Sequence, residues 1–352
     1  LQAEADAPCG ASFNSCVLPF PSESWQYTDP SAPTGVRVVP PEVLLEPTLI
    51  GQLGPGASIE DAFAESDGFS PTTPIFFQFP AGIDPDSIPP RGGEIVRVFD
   101  ATTGERVRIR AEVSQLQVDE RNQRGILAIW PVTRWEPGHQ IVATVRPGLT
   151  TTTGLPLPRI RKVPGGLDPA VAMLVEARLE AFAASVDPAT PFADYVAATA
   201  FVVRSQDRAT AQADAMAAVV AADDHPVRGV TAGFSFIPGT RTVTGQVRVT
   251  DFRDDDWTIP TGGLPRSRPR WIDFLMVVPD DVPAGGAPVA IYGHGITVAK
   301  ETMITVAAAN AAAGMATIGI DVPHHGARTG EGGYLLDLTR PQTLGRVAAM
   351  LM

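Results

Sequence analysis

Between residues 70 and 160, short β-branched and aromatic runs are divided by turn formers. The runs are Ile75–Phe79, Ile95–Phe99, Val107–Val113, Ile126–Trp130 and Ile141–Val145. Their separators, such as Asp100-Ala-Thr-Thr-Gly104 and Glu136-Pro-Gly138, are rich in residues that reverse the chain. Strands at this spacing predict an antiparallel β-sandwich. From Asp168 the period changes to that of a helix. Asp168 is an N-cap before Pro169, and Val171, Leu174, Val175, Leu179, Phe182 and Val186 recur on one face. A strand-like Ala200–Val203 and an Ala-rich helix over Arg208–Ala222 follow. Beyond residue 229 the order reads strand, strand, strand, helix, strand: Val243–Thr250, Trp271–Val278, Val289–Tyr292, a helix over Val298–Ala313, then Ala316–Ile320. Buried runs on either side of a helix predict an α/β sheet with parallel strands.

The expected organisation is therefore α/β plus all-β: an N-terminal β region over 1–165, a helical connector over 166–228, and an α/β region over 229–352. Composition agrees with two domains, since 352 residues at 44% hydrophobic content supply two cores, and 34 Pro with 33 Gly exclude a long helical bundle. A net charge of −12 argues against nucleic acid as a partner. The uncharged stretch Thr302–Ile320 has the length of a membrane span, but Asn310 interrupts it and Gly314 divides it, so no transmembrane segment is expected.

Cys9 and Cys16 are the only cysteines and have no histidine nearby, which predicts a short local disulfide and an oxidising compartment. The opening Leu-Gln-Ala-Glu-Ala-Asp-Ala reads as a mature N-terminus whose signal has been removed, so the expected location is secreted or cell-surface.

Two segments carry the candidate chemistry. In Pro288-Val-Ala-Ile-Tyr-Gly-His-Gly-Ile296 a buried strand runs into Gly293-His294-Gly295, where backbone N–H groups can face open space as in an oxyanion hole. In Ile318-Gly-Ile-Asp-Val-Pro-His-His-Gly-Ala-Arg328 a second buried strand ends at the sheet edge where ligands of open α/β sheets collect. His294, His324 and His325 are thereby expected at one edge.

These segments resemble the α/β-hydrolase superfamily, in which strand three ends in His-Gly-x and helix A leads to strand four, ending in Asp-x-Pro-x-His-Gly-x-Arg. Leu18-Pro-Phe-Pro-Ser22, Thr34-Gly-Val-Arg37, Asp67-Gly-Phe-Ser70 and Trp135-Glu-Pro-Gly-His-Gln-Ile-Val142 resemble the Ig-like companion domain of large secreted bacterial lipases, the bacterial virulence-factor lipases. The resemblance implies a secreted carboxylic ester hydrolase acting by acyl transfer on an ester or lipid-like substrate, without a cofactor. It implies the Ile296 backbone N–H as an oxyanion donor, Gly293 and Gly295 as shapers of the turn, and His294 as a brace. The family nucleophile lies in Gly-x-Ser-x-Gly, which does not occur here, and the last serine is Ser267. An incomplete sequence, one piece of a cleaved hydrolase, or a non-catalytic relative would each account for this. The first two are favoured, because a missing sheet half leaves Trp271–Ile320 with an uncovered apolar edge, and a C-terminal hydrolase half is then the expected partner. The 352-residue chain alone is expected to be inactive.

Other readings compete. A surface-binding protein could use the β domain and keep the hydrolase-like part as a scaffold. Asp321, His324 and His325 either line a substrate pocket, or Asp321 and Arg328 tie their loop to the sheet. Asp321, His324, His325 and His294 lack the usual zinc spacing, so no metal is expected. Asp251-Phe-Arg-Asp-Asp-Asp256 lacks the glycine and ligand spacing of an EF-hand and reads as a solvated loop. Asp84 and Asp86 read as turn formers, and His139 and His225 as isolated surface residues.

Overall fold

The computed structural model describes residues 18–39, 63, 66–114, 125–160, 162–165, 167–255, 259, 264–295 and 298–329. The described residues form two compact units that part between Ala209 and Thr210. The whole is strand-rich, with a β unit followed by a mixed α/β unit. Among the described residues, no helix is long and apolar enough to cross a membrane.

In the first unit a small hairpin, β1 (Gln26–Thr28) and β2 (Val36–Val38), precedes two antiparallel sheets. One joins β3 (Ile75–Phe79), β7 (Gly125–Pro131) and β6 (Ile109–Val113), in that order. The other joins β5 (Glu105–Arg106), β4 (Val96–Asp100), β8 (Gln140–Val145) and β9 (Ala197–Val202). Period-two alternation decides which side chains meet. Ile75, Phe77 and Phe79 of β3 and Leu127 and Ile129 of β7 face Val96 and Val98 of β4, Ile141, Ala143 and Val145 of β8, and Phe201 of β9 in one buried core. Phe20, Trp25, Phe69, Phe201 and Trp135 extend it as a chain of ring contacts with centroids 5.2–6.2 Å apart, so Phe20 and Trp25 are packed into the same core.

The outer face of the four-stranded sheet is apolar as well, and helix α1 (Pro169–Val186) covers it. Asp168 caps this helix, accepting from the N–H groups of Ala170 and Val171. Leu179 packs on Val142, Ala198 and Ala200. The buried stripe is Val175, Leu179 and Ala183, while Val171 and Leu174, expected on the core face, are exposed. At the C-terminus of α1 the buried Asp187 accepts from Arg97, from Arg146 at 2.8 Å and from the Tyr195 hydroxyl at 2.6 Å. Cations there suit the helix dipole and one another's carboxylate partner.

Helices α2 (Gln206–Ala209) and α3 (Ala211–Ala221) fall on either side of the division between the units, where one continuous helix was expected. The second unit is a five-stranded sheet of β10 (Val227–Phe234), β11 (Thr240–Asp251), β12 (Arg268–Pro279), β14 (Ala316–Ile320) and β13 (Val289–Tyr292), in that order. Only β13 and β14 pair in parallel, so the sheet is mixed rather than parallel throughout. A short 3-10 turn, Lys300–Met303, and helix α4 (Ile304–Ala312) form the crossover. Met303 and Ala307 bury Leu275 and Val277 on one face. Asn310, the polar residue in the span-like stretch, donates to Thr317 Oγ1 at 3.0 Å, which accommodates its amide inside that layer. Gly314, at φ +74°, ends the helix in the left-handed conformation.

Candidate functional site

A parallel pair joined by a helix places the C-terminal ends of both strands on one edge. Tyr292 of β13 lies beside Gly319 of β14, so Gly293, His294 and Gly295 emerge next to the loop that begins at Asp321. Three groups hold that loop together and fasten it to the segment that follows β13.

The first is Asp321, which is 1% exposed. Its Oδ1 accepts the Lys300 backbone N–H at 2.8 Å, and its Oδ2 accepts the Lys300 ammonium at 2.7 Å and the Ala327 N–H at 3.0 Å. Burial alone would raise this carboxyl, but the Lys300 ammonium and the two N–H donors outweigh it and hold the group below the usual carboxylate range. Burial likewise works against the Lys300 charge, and hydrogen bonds to Asp321 and Glu301 reverse the effect and raise it. Gly326 follows from the same packing. It sits at φ +51°, and a Cβ there would run into the Asp321 carboxylate.

The second group is Arg328, whose Nη1 donates to the Asp321 carbonyl at 3.0 Å. The third is His294, whose Nε2 accepts the Val322 N–H at 3.0 Å. Its ring lies 5.0 Å from that of His325, and His325 Nδ1 is 2.9 Å from the Pro323 carbonyl. His324 occupies the left-handed region at φ +67° within the same loop.

The structure thus brings Gly293, His294, Gly295, Asp321, His324 and His325 to one sheet edge. Ile296, Cys9 and Cys16 lie outside the described residues. Neither Gly293 nor Gly295 has a positive φ. A Cβ would meet nothing within 4 Å at Gly293 and only Val298 at 3.8 Å at Gly295, so the glycines leave open space beside the backbone rather than permit a forbidden turn. A depression of about 590 Å³ adjoins Lys300 and Glu301 and is walled by Arg228, Gln246, Asp273 and Leu275. None of the residues singled out from the sequence lines it.

Lys300 is the site residue that pattern reading passed over. The available signal was that it is one of only two lysines among 27 cations and opens the segment after β13. Among the described residues, no group of three or more His, Cys, Asp or Glu is placed to hold a metal ion. In the acidic stretch Asp251 is clasped by Arg253 at 2.8 and 2.9 Å and by Arg270 at 3.1 Å, and Asp255 pairs with Arg268. Asp84 caps the turn Pro85–Ser87. His139 is not isolated, because its Nδ1 lies 2.6 Å from Asp100 Oδ2. His225 bonds the carbonyls of Val220 and Arg248 and is half-buried.

No protein-family description matches this chain, and neither does any curated protein.

Proposed function

We propose that this chain is the oxyanion-hole half of a secreted carboxylic ester hydrolase, an Ig-like β-sandwich followed by the N-terminal half of an α/β-hydrolase sheet. One observation carries the reading. Strand β13 ends in Gly293-His294-Gly295, crosses through α4 and returns as the parallel β14, so the open turn and the Asp321–Arg328 loop share an edge. In acyl transfer, a serine activated by a histidine attacks the ester carbonyl, and backbone N–H groups hold the negative charge of the tetrahedral oxygen. The Ile296 N–H is the donor assigned here, with Gly293 and Gly295 keeping the approach clear. In this reading Asp321 is a tie rather than a pocket wall, since both carboxylate oxygens are engaged and the group is buried. Serine, base and acid come from outside these residues, because no Gly-x-Ser-x-Gly occurs among them.

Activity-based labelling tests this. A fluorophosphonate probe should leave the 352-residue chain unlabelled, and the chain should not turn over a short p-nitrophenyl ester. The natural protein, isolated from its source, should be labelled on a serine outside this sequence. Turnover by the 352-residue product itself, or a natural protein that neither labels nor hydrolyses esters, would overturn the reading.

A second reading, a surface-binding protein that uses the β unit, is favoured by one feature. A groove of about 710 Å³ runs between the edge strand β6 and Pro85, Ile88, Pro89 and Pro90. Retention of the chain on an insoluble polysaccharide, abolished by Ile88→Asp, would support it; no retention would count against it.

A further inference from the structure

One imidazole joins the turn after β13 to the β14 loop. His294 Nε2 faces the backbone N–H of Val322 at 3.0 Å, and a backbone N–H only donates, so Nε2 must carry a lone pair. The proton of the neutral ring is then on Nδ1, which lies 2.9 Å from the Gly295 carbonyl and donates to it. A single tautomer satisfies both contacts, and it closes the Gly293–Gly295 turn onto the first residue after Asp321.

We propose that His294 is a proton-sensitive latch: neutral, it fastens the Gly293–Gly295 turn to the β14 loop, and protonated, it releases Val322. Protonation puts an N–H on Nε2, so two donors face each other and the bond to Val322 is lost, while the bond from Nδ1 to Gly295 survives. The neighbouring His325 behaves differently. Its Nδ1 faces a carbonyl, which it serves equally well when charged. With the rings 5.0 Å apart, a charge on His325 adds repulsion to a charge on His294.

Charged and titratable groups lie on both loops that the latch joins. Asp321, His324 and Arg328 lie on the β14 side, and Lys300 and Glu301 follow β13. Asp321 is neutralised by Lys300, and Arg328 donates to the Asp321 carbonyl. The tautomer and its release follow from hydrogen-bond geometry alone, whereas their effect on an oxyanion turn rests on the hydrolase reading. The test therefore reads the bond and not turnover.

Nitrogen-15 NMR of the intact chain decides between outcomes. At pH 8 the His294 ring should show a protonated Nδ1 and a bare Nε2. As the pH is lowered to 5, the Val322 amide resonance should move together with the His294 ring signals. In His294→Gln, whose amide oxygen can accept from Val322 without titrating, the Val322 amide should stay fixed between pH 8 and 5. In His325→Gln it should still follow His294. A proton on Nε2 at pH 8, or a Val322 amide indifferent to His294 titration in the unaltered chain, would overturn the proposal. The wild-type measurement stands even where a variant fails to fold.

Discussion

The two units bury apolar surface in different ways. In the first, sheets of three and four strands enclose a core between them, and α1 seals the outer face of the larger sheet. In the second, α4 covers Leu275 and Val277 on one face, while on the opposite face Ile272 and Phe274 are buried and Val243, Met276 and Ile318 are half-buried. Ile291 is 88% exposed on the edge strand β13 and Phe234 is 81% exposed on the edge strand β10. Mostly parallel sheets carry helices on both faces, whereas antiparallel pairs, which are three of the four pairings here, tolerate one solvated face. The first unit thus closes its apolar surface between and behind two sheets, and the second leaves large apolar side chains exposed on its edge strands.

The largest effect should come from the closed core. Phe201→Ala removes a fully buried ring packed on Phe69 and Trp135, and should cost about 3–5 kcal/mol in denaturant unfolding. Amide exchange should rise across β3 to β9. A loss below about 1 kcal/mol would show that this core is not the stabilising centre described.

In the second unit a comparable dependence falls on a polar tie. Asp321→Ala leaves the buried Lys300 with only the exposed Glu301, at 3.2 Å, as a carboxylate partner, and should cost about 2–4 kcal/mol. The same group predicts an acid response. Its folded pKa lies below the unfolded value, so its contribution is complete above the ordinary carboxylate range and is lost as pH falls through the lowered folded value. Lys300 has the opposite sign: its folded pKa is raised, so its contribution is complete below the ordinary lysine range and fades as pH climbs through the raised value. Unfolding of Asp321→Asn should therefore be less acid-sensitive than that of the parent chain. Equal acid sensitivity would remove Asp321 from the account.

Gly326→Ala tests the same clasp more gently. The substitution strains a left-handed backbone and pushes a methyl against the Asp321 carboxylate, for an expected loss of about 1–3 kcal/mol. A neutral result in a thermal melt would mean that the loop after β14 has room to move away.

Strands with strict alternation or complete apolarity were legible from the chain alone. Ile75–Phe79, Val289–Tyr292 and Ala316–Ile320 have the bounds their side chains suggest. Strand β10 was not, because Val-Arg-Gly-Val-Thr-Ala-Gly-Phe holds two glycines, a bulge after Arg228, and no residue that burial would select. The stripe on α1 was half legible. Its first turn carries Val171 and Leu174 without a surface to meet, and periodicity cannot reveal where a sheet ends. At the site, the pattern marked the two strand ends and their histidines. Lys300 needed the fold, since its partner Asp321 is 21 residues away and meets it only once β13 and β14 pair in parallel.

The smallest expected effect is the one that tests the contrast most directly. Ile291 is exposed on an edge strand, and an exposed apolar side chain contributes little to the folded state of the chain that carries it. Ile291→Thr keeps the β-branched shape that suits a strand, so the unfolding midpoint should stay within about 0.5 kcal/mol of the parent. Association is where a difference should appear. An apolar edge strand offers both hydrogen-bonding groups and hydrophobic surface to another chain, and a threonine weakens the second without touching the first. Sedimentation velocity over a concentration series should show less self-association for Ile291→Thr than for the parent. A destabilisation above about 1.5 kcal/mol would instead mean that this face is already covered in solution, and the contrast between the two units would fall.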